Sequence, residues 1–159
     1  MFEKPQAEHE WLKQLTGNWI AETECQMGPG EPTYNSVGDV NCRSLEGMWF
    51  LIEGGGGDEE SGSWSTLMTL GYDIKLGQYV GSFAGSMMSC LWSYQGGLDA
   101  TGRKLTLDTV GPKCGSEGTT SYKDAIEVID ESRWILTSEM LTEEGEWLQI
   151  MTSEHRRKN

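Results

Sequence analysis

Gly17-Asn18-Trp19-Ile20-Ala21-Glu22-Thr23-Glu24-Cys25-Gln26-Met27 is the stretch that decides the fold. Trp19, Ala21, Thr23, Cys25 and Met27 fall on one side of an extended chain, and Asn18, Glu22, Glu24 and Gln26 on the other, because successive side chains of a strand point to opposite faces. A strand with one apolar and one polar face is half-buried, as in an antiparallel sheet with one wet side.

Upstream of this strand the period is helical. Pro5 suits a first helical turn and Glu8 and Glu10 suit its positive end, while Trp11, Leu12 and Leu15 form one apolar face before Gly17 stops the run. These signals predict a single amphipathic helix over about 7–15. Its apolar stripe has to be buried, and the open end of a barrel is a natural place for it.

Downstream, Gly28-Pro29-Gly30-Glu31-Pro32 turns the chain, and strands read at about 34–45, 48–54 and 64–72, with 58–62 as an exposed connection. Asp73-Ile74-Lys75-Leu76-Gly77 turns into 78–86, then 87–98 follows, and Asp99-Ala100-Thr101-Gly102 closes a hairpin. Strands recur at about 104–110, 119–129, 134–141 and 147–156. About ten strands joined by hairpins, with no interior helix, predict an all-β, closed up-and-down antiparallel barrel, since every sequence neighbour then becomes a spatial neighbour.

The composition agrees with one such domain spanning 1–159. Among 159 residues, 21 are Gly and 4 are Pro, which supplies many tight turns, and 7 Trp with 8 Met supply a core that disordered chains lack. A net charge of −13 repels phosphate backbones and anionic lipid, so neither nucleic acid nor a membrane surface is an expected partner. The N-terminus carries no apolar signal core and no segment is long and apolar enough for a membrane helix, which makes the cytoplasm the expected compartment. Cys25, Cys42, Cys90 and Cys114 form no C-x-x-C pair and no disulfide-dense pattern, so all four are read as reduced apolar fillers.

The stretch Thr69-Leu70-Gly71-Tyr72-Asp73, with Tyr79-Val80-Gly81, Ser86-Met87-Met88, Leu91-Trp92, Gly97-Leu98-Asp99, Leu105-Thr106-Leu107, Gly145-Glu146-Trp147 and Met151, resembles the bacterial family known as the domain of unknown function fifteen seventy-nine. The likeness runs from about Glu10 to Lys158 and implies a calycin-type barrel with no established activity. Thr16-Gly17-Asn18-Trp19 also resembles the Gly-x-Trp signature that opens the first strand of lipocalins. That likeness implies a structural barrel base made of Gly17, Trp19 and a basic residue of the last strand, either Arg156 or Arg157, with Arg156 taken first. A cation over an indole contributes about 0.5–2 kcal/mol. Where the family is expected to carry an aromatic residue near its C-terminus, this chain has His155, which sets His155 aside from family-wide chemistry.

No G-x-S-x-G elbow, P-loop or dinucleotide fingerprint is present, and Gly54-Gly55-Gly56-Gly57 lacks the Lys and helix that phosphate binding needs, so it reads as a flexible loop. His9 and His155 are too few for a multi-histidine metal site, so no metal and no cofactor is expected; His155 reads as a surface side chain, with axial ligation of haem as the remote alternative. Glu22 and Glu24 share one polar strand face and read as solvated.

Asp124 is the leading site candidate, because it shares a face with Tyr122, Ile126 and Val128 and becomes a carboxylate in an apolar lumen if that face points inward. Ser138 lies with Trp134, Leu136 and Met140, and Gln149 with Trp147 and Met151, which predicts a polar patch across three strands. Trp49, Phe50, Met68, Met87 and Trp92 are the candidate pliable apolar wall, although core packing explains the same residues and alternation sends Met87 and Met88 to opposite faces. The polar patch is equally the pattern of an internal hydrogen-bond network that plugs the barrel. The reading these residues support first is a non-catalytic barrel that holds a small apolar or aromatic molecule. The alternatives are a lumen enzyme of isomerase or cyclase type, using Asp124 with Tyr122 or Ser138, and a structural protein that forms homodimers.

Overall fold

A computed structural model describes residues 1–60 and 62–159. The described residues form one helix, α1 (Ala7–Lys13), followed by β1 (Gly17–Gln26), β2 (Thr33–Leu45), β3 (Trp49–Asp58), β4 (Gly62–Asp73), β5 (Gln78–Gly85), β6 (Trp92–Leu98), β7 (Lys104–Pro112), β8 (Thr119–Asp130), β9 (Arg133–Leu141) and β10 (Trp147–Arg157). Each strand pairs antiparallel with its sequence neighbours, and β1 closes on β10, so the sheet is a closed up-and-down barrel. Ser61, in the expected connection over 58–62, lies outside the described residues.

Register fixes which face is inside. Trp19, Ala21 and Cys25 on β1 stand opposite Val40, Gly38 and Tyr34 on β2, and opposite Arg157, His155 and Met151 on β10. The fully buried set includes Trp19, Phe50, Leu70, Leu105, Leu107, Ile126 and Trp134, all on this inner face. The helix and the turn after it deliver Leu12 and Leu15, both with no exposed surface, into the same cluster at one end of the barrel. This end is the floor. The helix is two residues shorter than its pattern, and His9 on its first turn is buried, with Nδ1 accepting the Gln6 backbone N–H at 2.9 Å.

The floor carries the first correction. Arg157, not Arg156, lies over Trp19, with its guanidinium carbon 4.1 Å from the ring centroid. Register is the reason: Arg157 stands opposite Trp19 and shares its face, whereas Arg156 stands opposite Ile20 and pairs with Glu154 on the outside. Gly17 is required here, since its φ is +119° and an added Cβ would sit 2.5 Å from Arg157 Nη1. The Trp19 ring meets Trp134 edge-on at 6.0 Å and its Nε1 donates to the Leu15 carbonyl at 2.9 Å, tying helix to barrel.

A second correction concerns Gly54 to Gly57, which form the end of β3 and are not a loop. Gly54, Gly55 and Gly56 pair with Val40, Asp39 and Gly38 on one side and with Thr66, Ser65 and Trp64 on the other. The Trp64 indole reaches across β3 towards β2, and Cβ atoms at Gly38 on β2 or Gly56 on β3 would come within 2.7 and 2.8 Å of it. Glycine is used here so that a large ring can lie against bare backbone.

Candidate functional site

The two ends of the barrel differ. The floor is sealed by Trp19, Leu12, Leu15, Phe50 and Trp134, while the other end is ringed by the loops after β1, β3, β5, β7 and β9. Thr23, Phe83, Trp92, Asp124, Ser138 and Met151 point inward by register yet are only half-buried. These are the inner-face side chains towards the mouth that keep some exposure.

Asp124 is the polar centre of this region. Register places it between Leu107 on β7 and Ser138 on β9. Ser138 Oγ donates to its Oδ1 at 2.6 Å, and the Tyr94 hydroxyl donates to Oδ2 in a short contact. Burial pushes the Asp124 carboxyl above the usual carboxylate range, and the two hydroxyl donors pull against that rise. Burial, followed by the neighbouring Asp124 charge, pushes Tyr94 well above its ordinary value, so Tyr94 remains the donor of the pair. Below this layer the Thr23 and Ser153 hydroxyls are 2.7 Å apart. Thr109, buried on β7, has a side-chain oxygen with no partner among the described residues.

His155 closes the polar column from below, contrary to the surface position expected of it. Alternation along β10 puts it on the inner face with Ser153, where it is 4% exposed and stacks flat on Trp134, with centroids 3.6 Å apart and planes 8° from parallel. Its Nδ1 lies 3.2 Å from the Ser153 carbonyl oxygen, and burial pulls its pKa down to about 4. A group whose folded pKa is depressed binds fewer protons folded than unfolded, so its contribution is lost as pH falls from about 6.5 to about 4. The barrel is expected to lose about 2 kcal/mol of stability from this source between pH 7 and pH 4.5. Urea titrations of the wild type and of His155→Phe, which keeps the stack without the titration, measure it; an equal pH response in both would refute the assignment. The raised Asp124 carboxyl acts with opposite sign and remains in both proteins.

Of the remaining candidates, Phe50 and Met68 are buried on the inner face, Phe50 in the floor. Trp92 stands near the mouth, meeting Tyr122 edge-on at 4.9 Å and donating from Nε1 to Met88 Sδ at 3.1 Å. Tyr122 is buried, but its hydroxyl donates to the Pro112 carbonyl, so it is not the proton partner of Asp124 that the enzyme alternative assigns it. Three candidates do not face the lumen. Trp49 is 42% exposed and lies on the outer face over Gly71, because its neighbour Phe50 is the inward residue. Met87 and Met88 belong to a turn, since β6 begins only at Trp92, and both are exposed. Gln149 is exposed and bonds Thr152 Oγ1 at 2.6 Å, because a bulge between Gln149 and Met151 turns Ile150 inward in its place.

The structure thus joins Asp124 with Ser138 and substitutes Tyr94 for Gln149. Tyr94 had a usable signal, two residues beyond Trp92 on the same strand face, but its reach to Asp124 depends on the stagger of β6, β7 and β8. Phe83 and Trp64 are further inner-face aromatics outside the sequence-based set. All four cysteines are free; Cys42 is buried in the core and its thiol is pushed up to about 12 by burial, whereas Cys25, Cys90 and Cys114 are half-buried. No group of three or more His, Cys, Asp or Glu side chains among the described residues is arranged to hold a metal ion, and no described helix is long and apolar enough to cross a membrane.

A family profile described as Protein of unknown function (DUF1579) matches residues 4–157. No curated protein matches the chain in sequence. Among solved structures, the chain is similar to Rv2717c from M. tuberculosis, with a TM-score of 0.72 at 12% identity, covering 98% of this chain and 100% of that one. It is also similar to the S-type phycobiliprotein lyase CPES from Guillardia theta, with a TM-score of 0.62 at 13% identity, covering 97% and 94% of the two chains. At such identities the likeness is one of fold.

Proposed function

The chain belongs to the family described as Protein of unknown function (DUF1579), and from that premise we propose that it is a non-catalytic barrel that takes a small aromatic molecule through its mouth. The observation that carries this reading is the half-buried Asp124, held by Tyr94 and Ser138 on an inner wall that also presents Phe83, Trp92 and Met151. A ligand site needs a few fixed polar groups among apolar walls, and this is such an arrangement. The four free cysteines support a reducing compartment such as the cytoplasm.

The neutral fluorophore N-phenyl-1-naphthylamine is expected to bind saturably at one site per chain. Met151→Trp, which adds bulk beside Ser138 on the inner wall, is expected to weaken that binding at least tenfold while leaving the circular dichroism spectrum unchanged. Fluorescence that rises linearly without saturation, or that is unaffected by the substitution, would remove the lumen as the site.

A second reading rests on the Tyr94–Asp124 contact, in which a tyrosine hydroxyl donates to a carboxyl raised by burial. Such a pair suits proton transfer, with Tyr94 in the place earlier given to Tyr122. Turnover of an enolisable aromatic ketone that disappears in Asp124→Asn would favour it over the carrier.

A further inference from the structure

We propose that the ligand is an aromatic cation bearing N–H donors, drawn in by an acidic mouth and anchored on Asp124. This inference rests on the lumen-binding reading above and adds the sign and hydrogen-bonding character of what is bound.

The first observation is the charge of the rim. The five loops around the mouth carry Glu31 after β1, Glu59 and Glu60 after β3, Glu117 after β7, and Glu143, Glu144 and Glu146 after β9. Lys113 is the one Lys or Arg in these loops, and it is engaged by Glu143 at 3.4 Å. The floor end is different, with Lys13, Lys75, Arg103, Arg157 and Lys158 set among its acids. An entrance lined by one sign of charge raises the local concentration of the opposite sign and repels its own.

The second observation is the wall inside. Lys123 and Arg133 on β8 and β9 turn outward to Asp108 and Glu154, and Arg43 on β2 turns outward to Glu53. Alternation likewise leaves no Lys or Arg of the described strands on the inner face above the Trp19 floor. His155, the inward histidine, is depressed to about 4 and is neutral at pH 7. Below the exposed rim, Asp124 is therefore the one carboxyl that register places on the inner wall among the described residues.

The third observation is the unused capacity of that group. A carboxylate has about four acceptor positions. Ser138 takes one on Oδ1 and Tyr94 one on Oδ2, which leaves each oxygen able to accept a further N–H. Both resident partners are donors, so a second hydrogen-bonding partner from the ligand has to donate as well. Phe83, Trp92 and Trp64 on the inner face add aromatic surfaces that favour a flat cation over a flat anion.

The test is competition against bound N-phenyl-1-naphthylamine by three compounds of one skeleton: naphthalene-2-carboxamidine, 2-acetonaphthone and 2-naphthoate. The amidine is expected to displace the probe at a concentration at least tenfold below the neutral ketone, with the anion weakest, and raising the salt from 20 to 500 mM is expected to narrow the series. In Asp124→Asn the amidine and the ketone are expected to fall within about twofold of each other. Equal displacement by all three in the wild type, or an amidine preference that persists in Asp124→Asn, would overturn the proposal while leaving a lumen that binds aromatics. Failure of the probe itself to bind saturably would instead overturn the reading on which it rests. Should Asp124→Asn not fold, the order of the three compounds on the wild-type protein decides the question.

Discussion

Trp19→Ala is expected to destabilise the barrel by about 3–5 kcal/mol, the range for removing a buried large aromatic side chain. Trp19 is 1% exposed and makes three kinds of contact that alanine cannot replace. Its ring packs edge-on against Trp134, its Nε1 holds the Leu15 carbonyl just beyond α1, and its outer face carries the Arg157 guanidinium. Losing it leaves a cavity under the helix and cuts the hydrogen bond that fixes the plug. Arg157 would keep its bonds to the Glu131 and Thr16 carbonyls, so the cation contact contributes only a small part, about 0.5–1 kcal/mol. Urea unfolding followed by tryptophan fluorescence measures the change, with Arg156→Ala as the comparison. That exposed neighbour is expected to move stability by no more than about 0.5 kcal/mol. A Trp19→Ala loss below about 1 kcal/mol would mean that the floor is not organised around this ring.

Gly96→Ala is the second large effect, expected to cost about 3 kcal/mol or more. An added Cβ would lie 1.8 Å from the Thr106 carbonyl oxygen and 2.8 Å from its carbon, so the obstacle is the backbone of the neighbouring strand. Flexible side chains can yield to an extra methyl, but a paired strand yields only by breaking its ladder, which places this substitution at the upper end of overpacking costs. The lumen would register the change too, since Gly96 sits on the inner face between Tyr79 and Leu107, two residues from Tyr94. Gly97→Ala supplies the contrast: its Cβ would meet nothing within 4 Å, and the substitution is expected to be neutral or stabilising by up to about 1 kcal/mol. Comparing the two urea midpoints separates steric clash from the general effect of removing a glycine. Similar midpoints would show that the strand crossing at Gly96 is looser than its geometry.

Asp124 and Ser138 were legible as members of one polar patch because alternation along β8 from Tyr122 to Val128 and along β9 from Trp134 to Met140 is regular, although a register shift between Val128 and Asp130 means that the hairpin alone does not set their pairing. Gln149 was not, because the bulge before Met151 shifts the phase of β10 by one residue and periodicity carries no mark of it. Trp49 and Phe50 illustrate the related difficulty that adjacent aromatics cannot both face inward, and composition does not say which one does. Gly54 to Gly57 misled for a different reason: a glycine run has no side chains to alternate, so its place in β3 shows only once Trp64 is seen filling the space above it.

By itself the amino-acid sequence determined what depends on local periodicity and turn chemistry: an acidic all-β chain of short strands in hairpin order, a capping helix, a Trp at the start of the first strand and a carboxylate on an apolar strand face. The tertiary structure alone decided which face is inside, which arginine lies over Trp19, that His155 stacks on Trp134, and that Tyr94 meets Asp124. These depend on register, stagger and closure, which are set by pairings between residues far apart in the chain, and a one-residue slip exchanges the two faces of a strand.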